Sequence, residues 1–191
     1  MILLPLLAGC ATRTYRFDGV GADGSTGREV RYVLESEDGP EGVITLRVKG
    51  KAHDRLGERE TDTVRVVVTL DNGSEDAVEI PLDGLVLSDD AGRKWNRVAT
   101  SVPEGASETT MIAGARQRLS YELLYDAGAP GALKTTGSVT CDWTYRFRGQ
   151  ETSHQSRFLP VRDERRSAYW SGGFWYGHRY RDLYWGSGWR W

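Results

Sequence analysis

Several features are scarce in this chain of 191 residues, and each scarcity narrows the possible functions. Only two cysteines occur, Cys10 and Cys141, so at most one intramolecular disulfide is possible. Lys and Arg number 25 against 27 Asp and Glu. A surface that follows nucleic-acid phosphates needs an excess of cations, so no nucleic-acid partner is expected. Outside the first ten residues, no apolar run is long enough to span a bilayer.

Catalytic and metal-binding signatures are also missing. The sequence contains no Cys-x-x-Cys, no His-Glu-x-x-His, no Gly-x-Ser-x-Gly and no phosphate-binding glycine loop. The three histidines, His53, His154 and His178, each lie in a polar context and are predicted to be solvated. We therefore expect no enzyme, no cofactor and no metal site.

Two acidic segments offer an alternative to that expectation. The loops 71–76 and 88–90 carry the hard oxygen ligands that calcium prefers, but neither has the twelve-residue EF-hand spacing. Glu35, Glu37 and Asp38 could form a carboxylate pair for acid–base chemistry. Tight turns use the same residue types for conformational reasons, and we interpret all three segments as turns.

The N-terminus carries the most specific motif. An apolar run ends in Leu7-Ala8-Gly9-Cys10, with small residues before the cysteine. This segment resembles the lipobox of bacterial lipoproteins, in which the cysteine thiol receives a diacylglycerol and then becomes the new N-terminus. The run is shorter than an export signal and lacks a basic region, so we expect a start codon upstream.

The resemblance implies that Cys10 is the lipidation site and that residues 1–9 are the remnant of a signal peptide. Burial of acyl chains, at about 0.8 kcal/mol per CH₂, would hold the protein on a membrane. Residue 11 is Ala rather than Asp. The resemblance to the sorted lipoproteins of Gram-negative bacteria implies that the protein is anchored in the outer membrane and faces the periplasm. Residues 10–27 are predicted to form a lipidated tether, which could include one edge strand.

Alternating apolar and polar residues dominate the body of the chain. Period two places successive side chains on opposite faces of a sheet, which predicts half-buried antiparallel strands. The apolar members of these alternations are Val30, Tyr32, Leu34; Ile44, Leu46, Val48; Val64, Val66, Val68, Leu70; Leu119, Tyr121, Leu123; and Val139, Cys141, Trp143, Tyr145, Phe147. Shorter runs at 78–80, 85–87, 95–98 and 158–161 can be further strands, the last pairing back across a polar turn at 149–154.

Turn residues separate these runs, as at Asp38-Gly39-Pro40, Asp71-Asn72-Gly73 and Asp89-Asp90-Ala91-Gly92. Seven to nine short strands with such turns predict an all-β antiparallel sandwich. The order of strands and turns from Val64 to Tyr125 resembles the telokin-like, immunoglobulin-type domains of secreted bacterial proteins. The resemblance covers residues 28–162. It implies an immunoglobulin-like sandwich in an extracytoplasmic protein, used for binding or structure.

Residues 163–191 differ from the rest, because they hold five of the seven tryptophans, several arginines and many glycines. Such a segment has too few aliphatic residues to build its own core. Three interpretations stay open: a membrane-interface segment, a stacking surface for cell-wall glycan, or a tail that packs some rings against the sandwich. The candidate contact residues are Trp170, Trp175, Tyr176, Tyr180, Tyr184, Trp185, Trp189 and Trp191.

Together these features predict a non-enzymatic envelope lipoprotein that acts as a binding or scaffolding module. Its partners would be the membrane, through the lipid anchor, and an envelope protein or cell-wall glycan. The alternative function is glycan binding through the C-terminal aromatic tail.

Overall fold

The computed structural model describes residues 13–37 and 39–161, and these residues form an all-β structure with antiparallel pairing. Twelve strands are present in this part of the chain, more than the seven to nine expected. They are β1 (Thr14–Val20), β2 (Thr26–Gly27), β3 (Val30–Ser36), β4 (Gly39–Leu56), β5 (Arg59–Asn72), β6 (Val78–Pro81), β7 (Val86–Asp89), β8 (Lys94–Ser101), β9 (Thr110–Ala113), β10 (Arg118–Gly128), β11 (Val139–Phe147) and β12 (Gln150–Val161). A 3₁₀ turn covers Leu82–Gly84, and a one-turn helix, α1, covers Ala132–Thr135.

Eight of the strands close into a ring. The pairing order is β12-β1-β4-β5-β10-β8-β7-β11, and β11 pairs again with β12. The sheet is therefore a closed barrel, where the sequence had predicted a sandwich. Four strands are not members of this ring: β2 pairs with β1, β3 with β4, β6 with β11, and β9 with β6. The all-β, antiparallel prediction is confirmed.

The core follows the predicted alternation. Nearly all the apolar members of the five alternating segments are buried, while Tyr32, Leu119 and Tyr145 are partly buried and pack against the same cluster. Burying one such valine or leucine stabilises a fold by about 1.5–3 kcal/mol. The periodicity thus identified both the strands and the side of each strand that faces inward.

Strand β1 differs most from expectation, since residues 10–27 were predicted to be a tether. Residues 16–20 of β1 pair with β12, and residues 14–16 pair with β4, so β1 is an interior strand that helps close the ring. Gly19 has no side chain, and this permits β1 to lie close to Val30 of β3. A Cβ on Gly19 would lie 2.2 Å from the Cγ2 atom of Val30.

Strand β12 is longer than predicted and begins at Gln150. The turn before it is only Arg148-Gly149, and both residues have positive φ (51° and 74°), as in a tight hairpin turn. The predicted polar turn at 149–154 is therefore wrong. Thr152, His154 and Ser156 occupy inward positions with polar side chains, which hides the alternation that identifies a strand.

Candidate functional site

The two ends of the described chain lie on neighbouring strands. Arg16 of β1 is paired with Val161, the last residue of β12. The carbonyl of Arg13 accepts a hydrogen bond from the N–H of Ala52, at 2.8 Å, so the chain joins the barrel at residue 13. We call this end of the barrel, which also holds the β4–β5 turn, the anchor end. The opposite end, with the β11–β12 turn, is the distal end.

The predicted lipidation residue and the predicted tail contacts cannot be placed in the fold. Cys10 lies outside the described residues, as do Trp170, Trp175, Tyr176, Tyr180, Tyr184, Trp185, Trp189 and Trp191. His178 and Asp38 also lie outside them. No helix in the described part of the chain is long and apolar enough to cross a bilayer.

A cleft of about 650 Å³ opens at the distal end, between the end of β3 and the β11–β12 turn. Its lining includes Glu35, Glu37, Phe147 and Arg148. Neither glutamate forms an ion pair with another described residue. This places two of the three carboxylates singled out in the sequence beside one cavity, where they can attract a cationic group.

Arg148 does not neutralise this cleft, because other carboxylates hold its guanidinium. Its Nε donates to Asp76 at 2.7 Å and its Nη2 donates to Glu41 at 2.8 Å. These hydrogen bonds, first that of Asp76, raise the pKa of Arg148. The guanidinium also lies 4.9 Å from the ring centre of Phe147. Arg148 therefore ties the β11–β12 turn to the start of β4.

An aromatic cluster lies inside the barrel beside β3, formed by Tyr32, Trp143, Tyr145 and His154. The His154 ring is 4.5 Å from Tyr32, 5.0 Å from Trp143 and 5.6 Å from Tyr145, measured between ring centres. Ser156 completes the cluster. Its Oγ accepts a hydrogen bond from Trp143 Nε1 at 2.9 Å and lies 2.8 Å from the Tyr32 hydroxyl.

His154 was predicted to be solvated, and that prediction is wrong. Its ring stacks in the cluster, and its Nε2 atom is buried without a hydrogen-bond partner among the described residues. Burial lowers the pKa of His154, so the neutral ring is favoured. His53 is different, because it is exposed and its Nδ1 lies 2.8 Å from a carboxylate oxygen of Glu60.

In the two segments considered for calcium, side-chain oxygen atoms accept hydrogen bonds from other groups of the protein. The Asn72 Oδ1 accepts from the N–H and hydroxyl of Ser74, and Asp76 holds Arg148. In the second loop, the Asp89 carboxylate accepts from the N–H groups of Ala91 and Arg93. Both loops are stabilised by their own side chains, and the second is a hairpin turn, because β7 pairs with β8. Within residues 13–37 and 39–161, no group of three or more His, Cys, Asp or Glu side chains could hold a metal ion.

Cys141 lies in the core on β11 and is fully buried. Burial raises the pKa of its thiol, which favours the neutral form. The alternation placed Cys141 among the inward apolar residues of this strand, and its burial confirms that prediction.

Comparisons with known proteins give no family. No family model matches the chain, and no curated protein matches it. Two solved structures are similar over most of their length. A crystal structure of the yeast GGA1 GAE domain has a TM-score of 0.36 and 14% identity, covering 69% of this chain and 99% of that one. The X-ray structure of the structural genomics target SoR45 has a TM-score of 0.35 and 12% identity, covering 78% and 99%. Both scores are below 0.5.

Proposed function

We propose that this chain is a non-enzymatic envelope lipoprotein, anchored through a diacylglycerol on Cys10, whose barrel is a binding or scaffolding module. The observation that carries the proposal is the position of Arg13 at the anchor end. Only three peptide units separate Cys10 from this residue, and they span at most about 11 Å. A lipid on Cys10 would therefore hold the anchor end against the bilayer and leave the distal cleft accessible from the other side.

The register of β1 and β12 supports a membrane role for the aromatic tail. Val161, the last described residue of β12, is paired with Arg16 and so lies at the anchor end. The tail thus starts beside the proposed bilayer surface, where indole and phenol rings prefer the boundary between water and lipid. This starting point favours membrane contact over glycan binding as the role of the tail.

The location and the finer fold class belong to the same proposal. Ala11 favours the outer membrane, with the barrel facing the periplasm. The immunoglobulin-type resemblance stays a prediction from the strand and turn pattern. The distal cleft, with Glu35 and Glu37 exposed to it, is the surface we assign to an envelope partner.

Lipidation can be tested by metabolic labelling. The chain, expressed in bacteria with its natural upstream start, is labelled with a clickable fatty acid alongside Cys10→Ser and Cys141→Ser. We expect label on the native chain and on Cys141→Ser, which changes the other cysteine, and none on Cys10→Ser. An unlabelled native chain in the cytosol, with an unmodified Cys10 thiol, would overturn the proposal.

The role of the tail can be tested by tryptophan fluorescence. Trp95 and Trp143 are only 5% and 2% exposed, so their emission should stay constant when vesicles are added. We expect phosphatidylglycerol vesicles to shift the emission of the native chain to the blue, and the Trp185→Ala/Trp189→Ala variant to respond less. Pull-down on purified peptidoglycan that is lost in this variant, with no vesicle response, would instead support the glycan alternative.

A further inference from the structure

A shallow trough lies on the outer face of the sheet formed by β3, β4, β5 and β10. Its volume is about 440 Å³. Sites that take small molecules usually measure about 300–1,000 Å³, so the trough is large enough for such a ligand. It shares no lining residue with the distal cleft, and it is therefore a separate surface of the barrel.

The floor of the trough consists of short side chains. Val43 and Val67 contribute methyl groups, while Thr45, Thr69 and Ser120 lie side by side in the register of β4, β5 and β10. We call these three residues the hydroxyl row. The hydroxyl oxygens of Thr69 and Ser120 are 3.2 Å apart. Hydroxyl groups both donate and accept hydrogen bonds, so this floor suits a ligand that carries donors and acceptors together.

Long charged side chains surround this floor. Arg47 donates from Nη2 to a carboxylate oxygen of Glu29 at 2.9 Å, so these two charges compensate each other. Arg31 on β3 and Arg118 on β10 are exposed, and neither forms an ion pair with another described residue. Because three strand spacings of about 4.8 Å separate β3 from β10, the two arginines lie at opposite sides of the trough. Asp71 is the one lining carboxylate without an ion pair in the described part of the chain.

The uncompensated charges favour an anionic ligand. Arg31 and Arg118 supply two cations against the single carboxylate of Asp71. A guanidinium group binds a carboxylate through two parallel hydrogen bonds, which fixes both the position and the orientation of the ligand. Asp71, which is paired with Arg118 across the strands, can accept hydrogen bonds from ligand hydroxyl groups.

The position of the trough favours a sugar over a peptide. Extended peptides usually bind at the edge of a sheet, where unpaired backbone groups are available. The floor belongs to β4, β5 and β10, which each pair with strands on both sides, so only side chains can meet the ligand. No aromatic side chain is among the described residues that line the trough, and a neutral sugar would find no ring to pack on. The affinity would therefore come from the charged groups of an acidic sugar.

We propose that this trough binds a short glycan that carries carboxylate groups, with Arg31 and Arg118 holding carboxylates at its two sides and the hydroxyl row contacting the sugar hydroxyls. This function goes beyond the proposed anchoring and requires neither the lipid nor the tail. Thr45 lies six residues along β4 from Lys51, which is paired with Thr14 at the anchor end. The trough is therefore about 20 Å from that end and stays accessible on an anchored barrel.

Titration calorimetry with trigalacturonic acid tests the site. The full-length Cys10→Ser chain, which lacks the lipid, is the reference. We expect Arg31→Glu and Arg118→Glu each to weaken binding at least tenfold. Arg157→Glu is the matched control, because Arg157 is an exposed arginine on β12 without an ion pair among the described residues, and it should change the Kd less than twofold. Trp185→Ala/Trp189→Ala should also change it less than twofold, since the tail is not part of the site.

Two further ligands test the chemistry. The trimethyl ester of trigalacturonic acid keeps the sugar rings without the charges, and triglutamate keeps the charges without the sugar rings. We expect both to bind at least tenfold more weakly than trigalacturonic acid. Equal binding of triglutamate would assign the trough to acidic peptides and overturn the proposal.

The proposal would also be overturned by a chain that binds trigalacturonic acid no more tightly than its ester. Unchanged binding by Arg31→Glu and Arg118→Glu chains with native circular dichroism spectra would have the same consequence. None of these results depends on fatty-acid labelling of Cys10. Failure of the glycan site and failure of the lipid anchor are therefore distinguishable.

Discussion

The buried carboxylate of Asp62 should be one of the largest single contributors to stability at the anchor end. It is fully buried, opposite the bulge that His53 makes in β4. Its Oδ1 accepts from the His53 N–H at 3.1 Å, and its Oδ2 accepts from the N–H groups of Gly131 and Leu133 at 3.0 and 2.9 Å. One side chain thus joins β4, β5 and the segment that contains α1.

Asp62→Ala removes the acceptor for all three N–H groups. The Leu133 donor is buried, so losing its bond to a charged group should cost about 2 kcal/mol. The other two donors are partly reached by water, and we expect about 1 kcal/mol for each. The total is about 4 kcal/mol, which at an m-value of about 2 kcal/mol/M lowers the urea midpoint by about 2 M.

The assay is equilibrium urea unfolding of the full chain, followed by the fluorescence of the buried tryptophans. Asp62→Asn keeps one acceptor oxygen and should lose about half as much stability as Asp62→Ala. Asp71→Ala, at an exposed position on the same strand, should change the free energy of unfolding by less than about 0.5 kcal/mol. A loss below about 1 kcal/mol for Asp62→Ala would refute the assignment of these three bonds to one carboxylate.

Three further results are expected in the same unfolding assay. Ser156→Ala removes the hydroxyl group that contacts the Tyr32 hydroxyl and the Trp143 indole, and should lower the free energy of unfolding by about 1–2 kcal/mol. The same change at the exposed Ser153 should lower it little. Gly19→Ala forces a Cβ against β3 and should cost about 1–3 kcal/mol, while Gly27→Ala, where the nearest atom is 3.7 Å from the added Cβ, should be tolerated. Because burial lowers the pKa of His154, the unfolded chain takes up a proton first as the pH falls below about 6.5, so stability should decrease there. His154→Phe should flatten that pH dependence; an unchanged profile would contradict the assignment.

The predictable part of the fold is the part with strong alternation. Strand β11, from Val139 to Phe147, alternates without interruption, and its inward residues are those the sequence indicated. The first half of β12 could not be found in this way, because its inward positions carry Thr152, His154 and Ser156. His154 and Ser156 are tolerated there because His154 stacks on Trp143 and Tyr145, and Ser156 accepts a hydrogen bond from Trp143.

The periodicity of the sequence could not predict that the barrel closes. The run at 158–161 indicates a strand, but it does not show that β1 and β12 are partners across more than 130 residues of sequence. The same holds for the distal cleft, since Glu35 and Glu37 were interpreted as solvated turn charges. Only the register of β3 and the β11–β12 turn brings them beside Phe147. The lipidation of Cys10 and the role of the tail stay predictions.

The pairing of β1 with β12 also determines how the barrel carries a mechanical load. Five residue pairs, from Arg16 with Val161 to Val20 with Arg157, join the two strands. A pull between the N-terminal and C-terminal segments acts on the same end of both strands. It therefore loads these pairs one after another, beginning with Arg16 and Val161, together with the pairs that join residues 14–16 to β4, so the barrel opens from its anchor end.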